Sequence, residues 1–433
     1  MKFKKQLMML ISLIFLVSSG PIVTAQTSEN VSLEAMAVML VDAENGQILF
    51  EKESQLAIES GAATKLLLVY IIYEAIANGE LTLDAQVPIS DYVYQLSQNY
   101  EIANIPLRQD FHYTVEELLQ AIAVKSANGA ALALVEMLSE TQQEFLEKME
   151  QKLHDWHLEG NQLTNIMGIP TDGNGSSAAQ NDNRLTAETI ATIAYRLIQD
   201  FPEYLNYTKI AKLHFKAETK DSIMVNNSND LLDSSMKPDG LMLTSTEDGH
   251  LHQILTVQRG NRRLLAIVLG VPDEVGNTTQ DIRKLLDYGF SAFSKQNVLI
   301  KGTITNQIPV IEVVGGKQNS VATVYSDDVS LTLPSEWSNA KYQYQFVPNA
   351  TYFNEQNQIQ APIAKDVGVG TVSVSLEHEM LSFLPTAKGS EVAVVTNESV
   401  EKAGWILRIL RGTQNLANQV IDGTREFFID LFN

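Results

Sequence analysis

Ser60-Gly61-Ala62-Ala63-Thr64-Lys65-Leu66-Leu67-Leu68-Val69-Tyr70 sets one lysine at the head of a long apolar run. From Ala62 to Asn78 the residues are helical in character and almost wholly apolar, which predicts a helix buried on most sides. Gly79 closes it as a C-terminal cap. One helical turn before Lys65 stands Ala62, whose methyl group cannot attack a carbonyl. The stretch therefore opens an apolar helix on a lysine, with no hydroxyl three residues before it.

Two further stretches extend the pattern. Val124-Lys125-Ser126-Ala127-Asn128-Gly129-Ala130-Ala131 places a serine and an asparagine two apart, directly before another apolar helical run. Lys237-Pro238-Asp239-Gly240-Leu241-Met242-Leu243-Thr244-Ser245-Thr246 leads from an Asp-Gly pair into a strand. The strand Leu264-Leu265-Ala266-Ile267-Val268-Leu269-Gly270-Val271 follows.

In order, spacing and flanking text these stretches resemble the motifs S-x-x-K, S-x-N and K-T-G of the serine penicillin-binding proteins. Asn165-Ile166-Met167-Gly168-Ile169-Pro170, Leu185-Thr186-Ala187-Glu188 and Asn227-Ser228-Asn229-Asp230-Leu231-Leu232 add to the match. The chain is similar to the D-alanyl-D-alanine carboxypeptidases, the low-molecular-weight penicillin-binding proteins, from about Ser32 to its C-terminus. The resemblance implies one antiparallel sheet flanked by helices, with the site between the sheet and a helical lobe. It also implies roles: Lys65 as general base, Ser126 as proton relay and Asn128 as holder of the substrate amide. Ala62 stands where the nucleophile belongs, and Met242, Leu243 and Thr244 occupy the three K-T-G places. A missing nucleophile typically costs several orders of magnitude in rate. A missing lysine at 242 removes a charge-assisted contact to the substrate carboxylate worth ~1.5–3 kcal/mol. Thr244 adds a side chain where backbone should approach the ligand closely.

Composition narrows the rest. The 433 residues suffice for two to three domains. No cysteine is present, so disulfides, thiol chemistry and a lipoprotein anchor are excluded. The 7 histidines show no ligand spacing, His250 and His252 forming only an H-x-H, so no metal and no cofactor is expected. A net charge of −21, from 31 basic and 52 acidic residues, disfavours a nucleic-acid partner.

Residues 1–25 read as a signal peptide. Lys2, Lys4 and Lys5 form its basic region, Leu7 to Val17 its apolar stretch, and Val23-Thr24-Ala25 a small-residue cleavage site. The alternative is an uncleaved anchor, for which the apolar stretch falls short of the roughly 20 residues that span a bilayer. The expected localisation is the extracellular face of the cytoplasmic membrane or the cell wall, in a Gram-positive bacterium.

The expected fold class is α/β. Residues 32–295 form the carboxypeptidase-like domain, and 298–395 a small all-β domain of short β-branched runs between Gly, Pro, Asn and Asp turns. Within the first, Ala35 to Asp42 and Gln47 to Lys52 are strands, Thr114 to Glu117 is a capping box, and Thr279 to Lys295 is a helix. Residues 401–433 form an amphipathic helix, with Trp405, Ile409, Val420, Phe427 and Phe428 on one face, expected to lie on the outer leaflet. The alternative is a helix packed on its own domain or on a second copy.

The functional expectation is an exported, catalytically impaired family member that binds peptidoglycan stem peptides or cell-wall synthesis proteins. The alternative is a serine-type carboxypeptidase of low or altered activity, with Ser126 attacking and Lys65 as base. A third reading is a structural spacer on the membrane.

Overall fold

The computed structural model describes residues 31–169, 182–246, 248–272, 278–337 and 339–404. The signal peptide expected at 1–25 and, of the amphipathic helix expected at 401–433, all beyond Gly404 lie outside the described residues; 401–404 are not helical, since Lys402 bridges to Gly316. The first part of the chain runs β1 (Ala37–Asp42), β2 (Ile48–Lys52), β3 (Ile58–Glu59), α1 (Lys65–Ala77), β4 (Gln86–Val87), α2 (Asp91–Ser97) and β5 (Tyr113–Thr114). Then come α3 (Val115–Lys125), α4 (Asn128–Leu138), α5 (Gln142–Asp155), β6 (Arg184–Leu185), α6 (Ala187–Asp200) and α7 (Leu205–Thr208). It ends with β7 (Lys212–Phe215), β8 (Ile223–Asn226), β9 (Gly240–Ser245), β10 (His250–Arg259), β11 (Arg262–Pro272) and α8 (Thr278–Ala292).

Five strands form an antiparallel sheet in the order β2-β1-β11-β10-β9, so the chain's first strands pair with strands from more than two hundred residues later. Both faces are buried. Met39, Val41, Leu265, Ile267 and Leu269 face the helical lobe. Val38, Leu40, Leu264, Ala266 and Val268 face α8 through Ile282, Leu285 and Leu286. Burial on two sides explains why these strands read as continuous apolar runs rather than alternating ones. Strands at both ends of this region with helices between them give the expected α/β architecture.

Helix boundaries follow local chemistry. The capping box forms: Thr114 accepts from the Glu117 amide and Glu117 accepts from the Thr114 amide. At the end of α1, Gly79 takes φ +77 while Gly79 and Glu80 donate to the Ile76 and Ala75 carbonyls. That pair of bonds is a Schellman cap. The helix expected at Thr279 to Lys295 stops at Ala292 instead. Phe293 already belongs to the next strand and meets Tyr288 edge-on at 5.4 Å.

The second part is all strand: β12 (Phe293–Leu299), β13 (Val310–Val314), β14 (Ser320–Tyr325), β15 (Val329–Pro334), β16 (Tyr342–Pro348), β17 (Ile359–Gln360), β18 (Gly368–Leu376) and β19 (Glu391–Thr396). Six form a sheet in the order β16-β18-β19-β14-β13-β17, and β12 pairs with β15. Their core is separate and aliphatic, built on residues such as Ile311, Leu331, Val369, Val372 and Val394.

The Asn45-Gly46 turn between β1 and β2 is held against this second part. Asn45 donates to the Ser330 carbonyl at 2.8 Å, Gln47 to the Thr332 carbonyl at 2.8 Å, and Thr332 bonds Asp42. Among the described residues no helix is long and apolar enough to cross a membrane. Replacing the cap threonine, Thr114→Ala, is expected to lower unfolding stability by about 1 kcal/mol in urea titration.

Candidate active site

The start of α1 is set by a polar network rather than by a helix cap. Gly61–Thr64 form a 3-10 turn that leads into Lys65, and Ser60 gives it no side-chain cap. Ser60 Oγ lies 2.9 Å from Thr64 Oγ1 and donates to the Asn183 carbonyl at 3.2 Å. Asn183 donates to Thr64 Oγ1 at 3.0 Å and to the Asn165 carbonyl at 2.8 Å. Its side-chain Oδ1 accepts from the amides of Thr164 and Asn165. Asn165 Oδ1 in turn receives the amides of Met167 and Gly168. Ser60 and Thr64 are both fully buried and committed to this network.

Lys65 is fully buried, and its Nζ donates to the Met167 carbonyl at 2.9 Å. Pairing with a carboxylate, or with Ser126 and Asn128, is the arrangement a cleft lysine would be expected to adopt; the amine instead takes a backbone carbonyl. Burial disfavours the ammonium and draws its pKa down to about 7. The amine is therefore poised to exist in both forms near neutral pH.

Gly168 allows this packing. Its φ is +74, and a Cβ there would come within 1.8 Å of the Gly61 carbonyl oxygen. Gly61 in turn presses on the edge strand: an added Cβ would lie 3.5 Å from Thr244 Oγ1 and 3.1 Å from the Ser245 carbonyl. Ala62 thus sits beside β9, almost buried. Met242 on β9 is also nearly buried and joins the same apolar cluster as Ala62 and Met167. Leu243 and Thr244 are half-buried.

Ser126 caps α3 in the left-handed region, at φ +54 and ψ +34, an uncommon place for a residue with a side chain. Its Oγ is buried and has no hydrogen-bond partner among the described residues. Asn128 opens α4, and its Nδ2 donates to the Ala103 carbonyl at 3.0 Å, which fixes the orientation of the amide. Asn128 Oδ1 is left buried without a partner among the described residues. Helix α4 packs on α1, and the turn ahead of α1 packs on β9. The fold therefore brings the three quoted stretches to one helix, α1.

Residues outside the three motifs hold this arrangement. Asn183 links Ser60, Thr64 and Asn165 across as many as 123 positions, a relation that no local pattern reveals. His252, opposite Thr244 on β10, is buried. Its Nδ1 accepts the Gly270 amide at 3.0 Å, so its proton sits on Nε2, 2.7 Å from the Glu59 carbonyl. Burial lowers its pKa and keeps the ring neutral. It ties the segment before Ser60 to the sheet. No group of metal-ligating side chains occurs among the described residues.

Comparison with known proteins places this geometry. Residues 23–273 match the family model described as D-alanyl-D-alanine carboxypeptidase, and 293–402 match that of the penicillin-binding protein 5 C-terminal domain. The D-alanyl-D-alanine carboxypeptidase DacF of Bacillus subtilis is 25% identical over 388 residues, covering 89% of this chain and 90% of its own. DacA of Escherichia coli is 24% identical, covering 83% of this chain and 84% of its own. A peptidoglycan synthesis regulatory factor (PBP3) of Streptococcus pneumoniae superposes with a TM-score of 0.71 at 28% identity, over 86% of this chain and 100% of that one. Penicillin-binding protein 5 of Haemophilus influenzae shares the fold, at a TM-score of 0.65 and 23% identity over 86% of this chain and 98% of that one.

Two outcomes test the network. Gly168→Ala is expected to lower the melting temperature far more than Gly160→Ala. Both glycines are left-handed, but an added Cβ at Gly160 meets nothing within 4 Å, leaving only backbone strain of ~1–2 kcal/mol. The second concerns Lys65→Met. The folded pKa of about 7 lies below the usual 10.5, so the unfolded chain binds the proton more tightly in that window. The burial penalty is full below pH 7 and fades as pH rises toward 10.5. Denaturation of both proteins across this range is expected to show Lys65→Met ahead at pH 7, the lead shrinking by up to about 1.4 kcal/mol per pH unit.

Proposed function

The chain belongs to the D-alanyl-D-alanine carboxypeptidase family, and we propose that it holds peptidoglycan stem peptides without cutting them. The family works in peptidoglycan metabolism, on the cell wall outside the cytoplasm. One observation carries the proposal: the residue one turn before the buried Lys65 is Ala62, which has no hydroxyl. The neighbouring hydroxyls do not replace it, because Ser60 and Thr64 are buried and bonded to each other and to Asn183. Met242 adds a second departure, as a nearly buried thioether where the family's carboxylate-binding lysine belongs.

In this reading Asn128 holds a peptide amide, Ser126 contributes a second polar contact, and Lys65 is a structural amine that anchors the Met167 turn. The peptide lies along β9. Cell-wall synthesis proteins are the other class of partner this role allows. Export through the segment at 1–25 and attachment to the outer leaflet through 401–433 belong to the same reading. They put the protein where its ligand is.

A second reading retains hydrolysis. Ser126 Oγ is buried without a bonded partner among the described residues, and Lys65 has the lowered pKa of a general base. Ser126 attacking with Lys65 accepting its proton gives a slow carboxypeptidase. Incubation with fluorescent penicillin followed by denaturing electrophoresis separates the two. The binding role predicts no labelled band, whereas a covalent adduct that survives denaturation establishes the hydrolytic one.

A further inference from the structure

We propose that this site takes peptides whose terminal carboxyl is masked as an amide, in preference to peptides ending in a free carboxylate. The proposal rests on the binding role given above and names its ligand. The first observation is the character of the strand beside Ala62. Among the described residues β9 pairs with β10 alone and forms an edge of the sheet, which suits an added extended peptide. Its side chains there, Met242, Leu243 and Thr244, are all uncharged, and Met242 is only 7% exposed.

The second observation is how the nearby basic side chains are engaged. Arg263 is bound to Asp239 at 2.8 Å, just ahead of β9. His250, across the turn at the other end, is bound to Asp248 at 2.8 Å. The Lys65 amine is buried on the Met167 carbonyl. A carboxylate laid against Met242 thus loses its water beside three basic side chains that already have partners, and it does so on a chain of net charge −21. A neutral amide avoids both costs.

The third observation concerns hydrogen-bond sense. The Asn128 side chain gives one of its two N–H groups to the Ala103 carbonyl, and its buried oxygen is an acceptor without a partner among the described residues. An amide brings N–H groups to such an acceptor, and a carboxylate brings none. A stem peptide joined to its neighbour through the D-alanine carboxyl meets these conditions. The reaction class that supplies it is amide-forming cross-linking, which converts the free terminus into an internal bond.

The test is fluorescence anisotropy of the intact protein with labelled L-Lys-D-Ala-D-Ala, as free acid and as C-terminal carboxamide. The carboxamide is expected to bind about tenfold tighter or better, the scale on which an unpaired charge is rejected from an apolar contact. Met242→Lys is expected to move the ratio toward the free acid. Thr244→Lys serves the same purpose if the first variant does not fold, as judged by circular dichroism. Equal affinities, or tighter binding of the acid, overturn this inference and leave the binding role standing. Saturable binding of neither peptide overturns the binding role itself.

Discussion

A lysine amine closed off from water, whose one hydrogen-bond partner among the described residues is a backbone carbonyl, constrains the centre of this molecule. Burying such a group is tolerable only where the surroundings are rigid and its protons have a partner. The partner is the Met167 carbonyl, and that turn is held by Asn165 and Asn183. Gly168 lets the turn approach Gly61, and Gly61 lets the head of α1 approach β9. The lysine, the turn and the edge strand are thus parts of one contact.

The departures from the family's chemistry agree with one another in physical kind. Ala62 and Met242 are apolar, nearly buried and members of one cluster. On the proposed reading they make the face beside β9 apolar and uncharged. Across from it, Ser126 and Asn128 keep their polar groups, and the strained backbone at Ser126 is kept as well. On the proposed reading Ser126 and Asn128 are the amide-recognising side, and an uncharged face opposite them fits holding a peptide better than cleaving one.

Much of the fold was legible in the sequence because its signals are local. The capping box at Thr114, the glycine closing α1 and the apolar runs of β1 and β11 each mark their element without reference to anything distant. The identities at 62, 65, 126, 128 and 242 to 244 are equally local once the motifs are aligned. What escaped depends on pairing across the chain. Asn183 works through partners far away in sequence, and His252 acts by bridging Glu59 to Gly270. The end of α8 at Ala292 is likewise set from outside, since Phe293 to Leu299 pair with β15 and leave the helical pattern their residues would otherwise extend.

The measurement closest to the central claim uses the natural polymer. Purified peptidoglycan sacculi are titrated with the protein, and bound protein and released D-alanine are quantified in the same samples. The account predicts saturable retention with no D-alanine above the buffer blank. D-alanine released in proportion to bound protein would contradict it.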